Sequence, residues 1–491
     1  MRVVIAVPIM LAITPYTLRT LGKEEFGIWA LVGVISSYAQ LSDFGITESL
    51  IKFFAEYKAK GELQRLNQLL NTALMTYLLI GAVFCTLFIK IMPFVVDKVL
   101  SVPTSLSAKA LSVFSIAIVL FFVDMLMGVF GSLINGFQRM GYTNAIALAS
   151  TILTATGTVL FLANGYGIQG LVYNNAIITL LVVCANAFVA WRLFPEMRIN
   201  PFRYWSNEVL RQIFGFSWKV QLTNMTQLMI FQLDRVLLSH YLGLTAVSYY
   251  EVANRIASHV KGVVISIFSP MAPAASTLHA FRDQEKIAGL YRRSFKYMVV
   301  ISVPCGFLVI ALAHPFFATW MGPGYDVSAY TLQLLMVAYI CNLLTCPGAI
   351  ILSGMGKPQI SMRSSVAAGI TNVLVCLVLV QIIGYYGVIV GIFTSIVTSG
   401  AFFIWMVHRN IDGLQWGLYP RAASRPLLLA SVLAAILLVV QSALPIHGYP
   451  LLIMCGGIYL GSVVAGMLQG NYLDAFDREL FFRLIPFARN R

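Results

Sequence analysis

Apolar residues along this chain come in long blocks rather than in alternation. About fourteen stretches, each near the ~20 residues a helix needs to cross a bilayer, are separated by short polar joints. Hydrocarbon offers no water to backbone N–H and C=O groups, and the blocks lack the two-residue period of a lipid-facing barrel strand. Each block therefore reads as a helix. The pattern predicts spans at Val3 to Leu18, Gly27 to Ile46, Leu69 to Phe94, Leu111 to Leu133, Thr143 to Ala163 and Ile168 to Phe194. A second set runs Ile213 to Tyr241, Val247 to Ala274, Tyr297 to Trp320, Tyr330 to Leu352, Ser365 to Ile383, Val388 to His408, Leu427 to Leu444 and Leu451 to Leu468. The expected fold class is an all-α integral membrane protein with about fourteen transmembrane helices.

The chain also repeats itself when laid on itself about two hundred residues out of register. Leu18-Arg19-Thr20-Leu21-Gly22 aligns with Ser239-His240-Tyr241-Leu242-Gly243, and Asn135-Gly136-Phe137-Gln138 with Ser353-Gly354-Met355-Gly356. Gly165-Tyr166-Gly167-Ile168 aligns with Tyr385-Tyr386-Gly387-Val388. An even number of spans per repeat gives both copies one orientation, so two pseudo-symmetric six-helix bundles are expected. The organisation that follows is an N-terminal lobe at 1–194, a cytoplasmic linker at 195–212 and a C-terminal lobe at 213–408. A second linker at 409–426, two additional helices within 427–468 and a cytoplasmic tail at 469–491 complete it. The first helix reads as uncleaved, because no small-x-small processing site follows it.

Composition changes the picture by exclusion. The chain is 59% hydrophobic and 11% charged, where a soluble domain carries about a quarter charged residues. No joint is long enough for a soluble catalytic module. The net charge of +14 would suggest nucleic acid in a soluble protein, but its distribution follows topology. Only Arg19, Lys23, Lys98 and Lys109 fall on outside joints, whereas the inside joints hold Lys52, Lys58, Lys60, Arg65, Arg139, Arg192, Arg198, Arg292, Arg293, Lys296, Arg421 and others. Both termini are thus expected in the cytoplasm, with the basic joints facing anionic lipid and not nucleic acid. The seven cysteines are scattered in apolar spans, and no Walker, dinucleotide or metal-binding motif occurs. No cofactor is implied.

Polar residues inside the spans are the candidates for function, because ionisable groups at membrane depth usually face a bundle interior. Ser36, Gln40, Asp43 and Thr47 recur at helical steps on the second span, as cavity lining or as a packing seam. Asp124 stands alone among apolar neighbours. The seventh span carries Lys219, Asn224, Gln232, Asp234 and Arg235, and the eighth carries Glu251, Asn254, Arg255, His259 and Lys261. Four cations facing two acids leave a positive surplus, and a guanidinium fork suits phosphate oxygens. Two readings weaken that surplus: Glu251 and Arg255 have the spacing of an intrahelical pair, and Lys219 and Lys261 can snorkel to the interface. The substrate-binding candidates are Arg235, Arg255, Lys219, Lys261, Gln40, Ser36 and Asn224. The ion-coupling candidates are Asp43, Asp124, Asp234 and Glu251. Pro15, Pro93, Pro270, Pro273, Pro304 and Pro315 mark positions where helices can bend, with Ser269 to Pro273 as the strongest kink.

The segments Pro15-Tyr16-Thr17-Leu18-Arg19-Thr20-Leu21-Gly22, Glu25-Phe26-Gly27-Ile28-Trp29, Leu41-Ser42-Asp43-Phe44-Gly45-Ile46 and Gln232-Leu233-Asp234-Arg235 carry a family pattern. Through them the chain resembles polysaccharide flippases of the multidrug, oligosaccharidyl-lipid and polysaccharide exporter superfamily. The resemblance implies a MATE-like pair of bundles around a cavity that opens alternately to either side. It implies a cargo of undecaprenyl-diphosphate-linked oligosaccharide repeat units, as for O-antigen or exopolysaccharide, moved from the cytoplasmic to the periplasmic leaflet of a bacterial inner membrane. With no nucleotide site, a proton or sodium gradient, the membrane potential, or removal of product by a polysaccharide polymerase must drive turnover. A cation-coupled drug antiporter of the same superfamily would need acids rather than a cation surplus. A membrane-embedded polymerase or ligase would need a large outward loop, and a non-transporting scaffold would tolerate loss of the intramembrane charges. The expectation is a transporter and not an enzyme.

Overall fold

The computed structural model describes residues 2–268, 271–281, 283–443, 448–469 and 472. The side chains of residues 2–7, 216, 218–231, 272–273, 280 and 358 lie outside that description. Among the described residues all regular structure is helical. In chain order the helices are α1 (Arg2–Ala39), α2 (Ile46–Ala59), α3 (Leu63–Phe94), α4 (Thr104–Gly136), α5 (Met140–Ala163), α6 (Gly167–Leu193), α7 (Pro201–Tyr204) and α8 (Asn207–Leu242). They continue as α9 (Leu244–Phe268), α10 (Met271–Ala280), α11 (Gln284–Trp320), α12 (Asp326–Gly354), α13 (Pro358–Ile383), α14 (Tyr385–Asn410), α15 (Leu418–Ala443) and α16 (Tyr449–Gln469). Ten of the described helices are long and apolar enough to cross a membrane. Neither α8 nor α9 is among the ten, since polar and charged residues interrupt their apolar runs.

The sequence repeat has a backbone counterpart. α1 is two helices joined at Gly22 (φ 78°, ψ 170°), and Gly243 between α8 and α9 takes nearly the same conformation (φ 82°, ψ 177°). A side chain at either position would clash with its own backbone, so glycine is needed there. Past the ends of α4 and α12, Gln138 (φ 59°) and Gly356 (φ 74°) both turn left-handed. In the third pair the glycine that matches Gly167 (φ 56°) in conformation is Gly384 (φ 59°). Gly387, aligned with Gly167 by sequence, lies inside α14.

The second span ends earlier than expected. α1 stops at Ala39, a 3₁₀ turn covers Gln40–Asp43, and α2 starts at Ile46. Phe44 (φ 51°) and Gly45 (φ 72°) are both left-handed, which breaks the helix. Ser36, Gln40, Asp43 and Thr47 therefore do not share one helix face: Ser36 is on α1, Gln40 and Asp43 are in the turn, and Thr47 is on α2. The expected kink at Ser269 and Pro270 lies outside the described residues.

The chain divides into two compact units, the residues up to Glu251 with Val380–Val388, and Val252–Leu379 with the residues from Ile389 onward. In the first unit α4 packs on α2, α3 and α6, and α5 packs on α6 and α1. Glycines permit the close approaches, as at Gly136, where an added Cβ would lie 2.6 Å from Phe54 Cβ and 2.8 Å from the Ile51 carbonyl. The joint after α6 is held to α3 by two amides. Asn67 Oδ1 accepts from the Arg198 amide and Asn71 Oδ1 from the Asn200 amide, both at 2.7 Å, and Asn71 Nδ2 donates to the Arg198 carbonyl at 2.7 Å. These side chains complete backbone hydrogen bonds that an irregular segment would otherwise leave open. In the second unit α11 packs against α12, α15 and α16, burying Ala311, Ala434, Tyr459 and Val463 in one cluster.

Candidate functional site

In the first unit, the break between α1 and α2 builds a closed polar triangle. Tyr77, reaching across from α3, donates its hydroxyl to Asp43 Oδ1 at 2.5 Å. Thr47 donates to the same oxygen at 3.0 Å and lies 3.1 Å from the Tyr77 hydroxyl. Tyr77 is only 1% exposed, while Asp43 is half-buried and Thr47 exposed, so the buried hydroxyl finds its partner in a carboxylate at the edge of the core. The turn carrying Gln40 and Asp43 packs against α8; Ser36 is half-buried and Gln40 exposed. Tyr77→Phe is expected to lower stability by about 0.5–1.5 kcal/mol, the net worth of one hydrogen bond to a half-buried group. Thermal unfolding of the detergent-solubilised variant measures it.

The second polar centre is the α8–α9 hairpin. Arg235 and Glu251 lie eight residues before and after Gly243, so antiparallel helices joined at that glycine bring them level. Arg235 Nε donates to Glu251 Oε2 at 2.7 Å, and Nη1 donates to Gln232 Oε1 at 2.7 Å. The two charged side chains are 12% and 9% exposed. Next to them, Tyr250 donates its hydroxyl to Asp234 Oδ2 at 3.1 Å, and the Arg235 guanidinium lies 5.9 Å from the Tyr250 ring centre. Arg235 is thus not a surplus cation. A carboxylate sixteen residues away, across the hairpin, neutralises it. A pair in such surroundings holds only because geometry and further hydrogen bonds offset the loss of hydration.

In the second unit, α9 continues with Asn254, whose Oδ1 accepts the Tyr339 hydroxyl of α12 at 2.8 Å and the Ser258 hydroxyl at 3.3 Å. The Lys261 ammonium sits 4.7 Å over the ring of the same Tyr339. Its contact with an aromatic face replaces the interfacial snorkelling that its stem permits. Arg255 is half-buried, and its carbonyl lies 2.7 Å from His259 Nδ1. Asp124 is on an exposed face of α4. Lys219 and Asn224 are in α8, but their side chains lie outside the described residues.

The structure therefore gathers Asp43 with Thr47 and Tyr77, Arg235 with Gln232, Asp234 and Glu251, and sets both Lys261 and Asn254 against Tyr339. Tyr77, Tyr250 and Tyr339 are the partners that sequence reasoning missed, because a tyrosine in an apolar run reads as core. The hairpin spacing about Gly243 was the available signal for Arg235 and Glu251. Chemically, the hairpin offers a guanidinium whose carboxylate partner is of the same class as other oxyanions.

The family model described as polysaccharide biosynthesis protein matches residues 2–279, and a second, described as MatE, matches residues 220–378. A Shigella flexneri protein carried under the provisional name O-antigen transporter is 20% identical over 426 residues, covering 85% of this chain and 96% of its own length. The fold is similar to that of a multidrug resistance MATE family transporter of the MOP superfamily in its inward-facing conformation. That likeness has a TM-score of 0.71 at 14% identity and covers 83% of this chain and 94% of the other. It is similar also to the lipid II flippase MurJ in an inward closed conformation, with a TM-score of 0.65 at 12% identity over 94% of this chain and 100% of the other. The MATE-like fold and the family resemblance read from the sequence are both borne out.

Proposed function

We propose, from the premise that this chain belongs to the polysaccharide biosynthesis protein family, that it flips undecaprenyl-diphosphate-linked oligosaccharide repeat units from the cytoplasmic to the periplasmic leaflet. It is a multi-pass membrane transporter of polysaccharide biosynthesis, and not an enzyme. The membrane is the bacterial inner membrane, with both termini in the cytoplasm. Alternating access moves the cargo.

The observation that carries this reading is the Arg235–Glu251 pair buried in the α8–α9 hairpin. A diphosphate offers the guanidinium the same bidentate oxygens as a carboxylate, with more charge. The arriving headgroup takes the guanidinium, and Glu251, released from its partner inside the membrane, takes up a proton or sodium ion. Departure of the cargo restores the pair and expels the ion. Arg255, Lys219, Lys261, Asn224, Ser36 and Gln40 contribute further cargo contacts. Asp43, Asp124 and Asp234 are the other ion-coupling positions. A polysaccharide polymerase on the far side consumes the product.

Depletion of the protein in living cells tests the reading. Lipid-linked repeat units are expected to accumulate in the cytoplasmic leaflet, protected from a membrane-impermeant reagent in intact cells. Normal translocation with unpolymerised units outside would overturn it in favour of a polymerase.

A further inference from the structure

We propose that the second unit holds a binding site for the phosphate headgroup of an anionic membrane lipid, built by Arg292, Arg293, Lys296 and Arg421. None of these residues takes part in the transport reading above.

A cavity of about 390 Å³ opens among the start of α11, the connection between α14 and α15, and the first turn of α15. Its described lining contains these four cations and Gln415, and no aspartate or glutamate. The walls are held in place from several sides. Trp416 stacks on His408 with ring centres 4.0 Å apart and planes 8° apart. The Tyr419 hydroxyl lies 3.2 Å from His408 Nδ1 and 3.0 Å from the Tyr291 hydroxyl. Tyr472 forms another wall; its hydroxyl donates to the Ala422 carbonyl at 2.6 Å, and its ring carries the Lys296 ammonium at 5.1 Å. Four cationic side chains around one fixed hollow form a receptor for an oxyanion, and guanidinium forks match phosphate geometry.

Three features favour a lipid headgroup over a soluble anion. Lys and Arg bias places this end of α11 and α15 on the cytoplasmic side, where anionic lipids concentrate and basic pockets between helices capture their headgroups. Trp416 is 58% exposed, as an indole at headgroup depth is. Further along α15, Leu428 and Val432 are 64% and 55% exposed, an apolar track for the acyl chains.

The full-length protein, purified in a neutral detergent, tests this with phosphatidylglycerol, phosphatidylcholine and inorganic phosphate as probes. Native mass spectrometry is expected to show phosphatidylglycerol retained at least about tenfold over phosphatidylcholine, with the preference lost in Arg292→Gln/Arg421→Gln. Both replaced residues are exposed, so the core is untouched; Arg421→Gln alone, with a partial loss, is the milder arm. Arg363→Gln, exposed on α13, is expected to keep the preference. Equal retention of phosphatidylglycerol by the parent and the double variant would overturn the proposal. So would an equal loss in Arg363→Gln, or thermal stabilisation by inorganic phosphate with none by phosphatidylglycerol, which would assign the pocket to a soluble anion.

Discussion

Arg235→Ala is expected to lower the stability of the folded protein by about 3–5 kcal/mol, because it removes the guanidinium that neutralises a carboxylate held away from water. The two side chains are 12% and 9% exposed, so solvent does little to replace the lost guanidinium. The variant with both charges replaced, Arg235→Met with Glu251→Leu, removes the liability along with the pair and is expected to recover most of that stability. Transport separates the roles. If the pair exchanges partners with a diphosphate, the double variant folds and remains inactive in flipping. Chemical unfolding in detergent and leaflet assays in cells give the two readouts. A stable double variant that still transports would confine the pair to holding the hairpin together.

Gly136→Ala is expected to cost about 1–3 kcal/mol, the typical price of overpacking. The added carbon would lie 2.6 Å from Phe54 Cβ and 2.8 Å from the Ile51 carbonyl, so α2 or α4 must shift. On the same helix, Gly128 has nothing within 4 Å of an added Cβ. There the substitution is expected to be neutral or to stabilise by up to about 1 kcal/mol through helix propensity. Melting temperatures of the two variants, measured side by side, should move in opposite directions or at least differ clearly. Equal shifts would show that helix propensity, and not the approach of α2 to α4, governs glycine in this bundle.

Spans were legible because hydrophobicity over ~20 residues averages out local detail. Breaks within spans were not. Gln40 to Gly45 reads as continuous helix because nothing in the side chain of Phe44 announces a left-handed backbone (φ 51°), and a continuous helix would put Ser36 to Thr47 on one face. Intramembrane charges were found individually, since each is conspicuous among apolar neighbours. Their partners were harder. The spacing of Glu251 and Arg255 on one helix allows an intrahelical pair, whereas a close contact of 2.7 Å runs from Glu251 to Arg235 across the turn. Intrahelical spacing can be counted directly, while pairing across a turn requires knowing that Gly243 is the corner. Tyr77, Tyr250 and Tyr339 were hidden by their dual nature: the ring belongs in an apolar run, and only the structure shows where the hydroxyl goes.

The neutralised hairpin also constrains biogenesis. Arg235 leaves the ribosome sixteen residues ahead of Glu251, so an arginine delivered into lipid by itself would face the full cost of an isolated ion. Entry of α8 and α9 into the bilayer together, with the corner at Gly243 already closed, spares the arginine a period in lipid without that carboxylate.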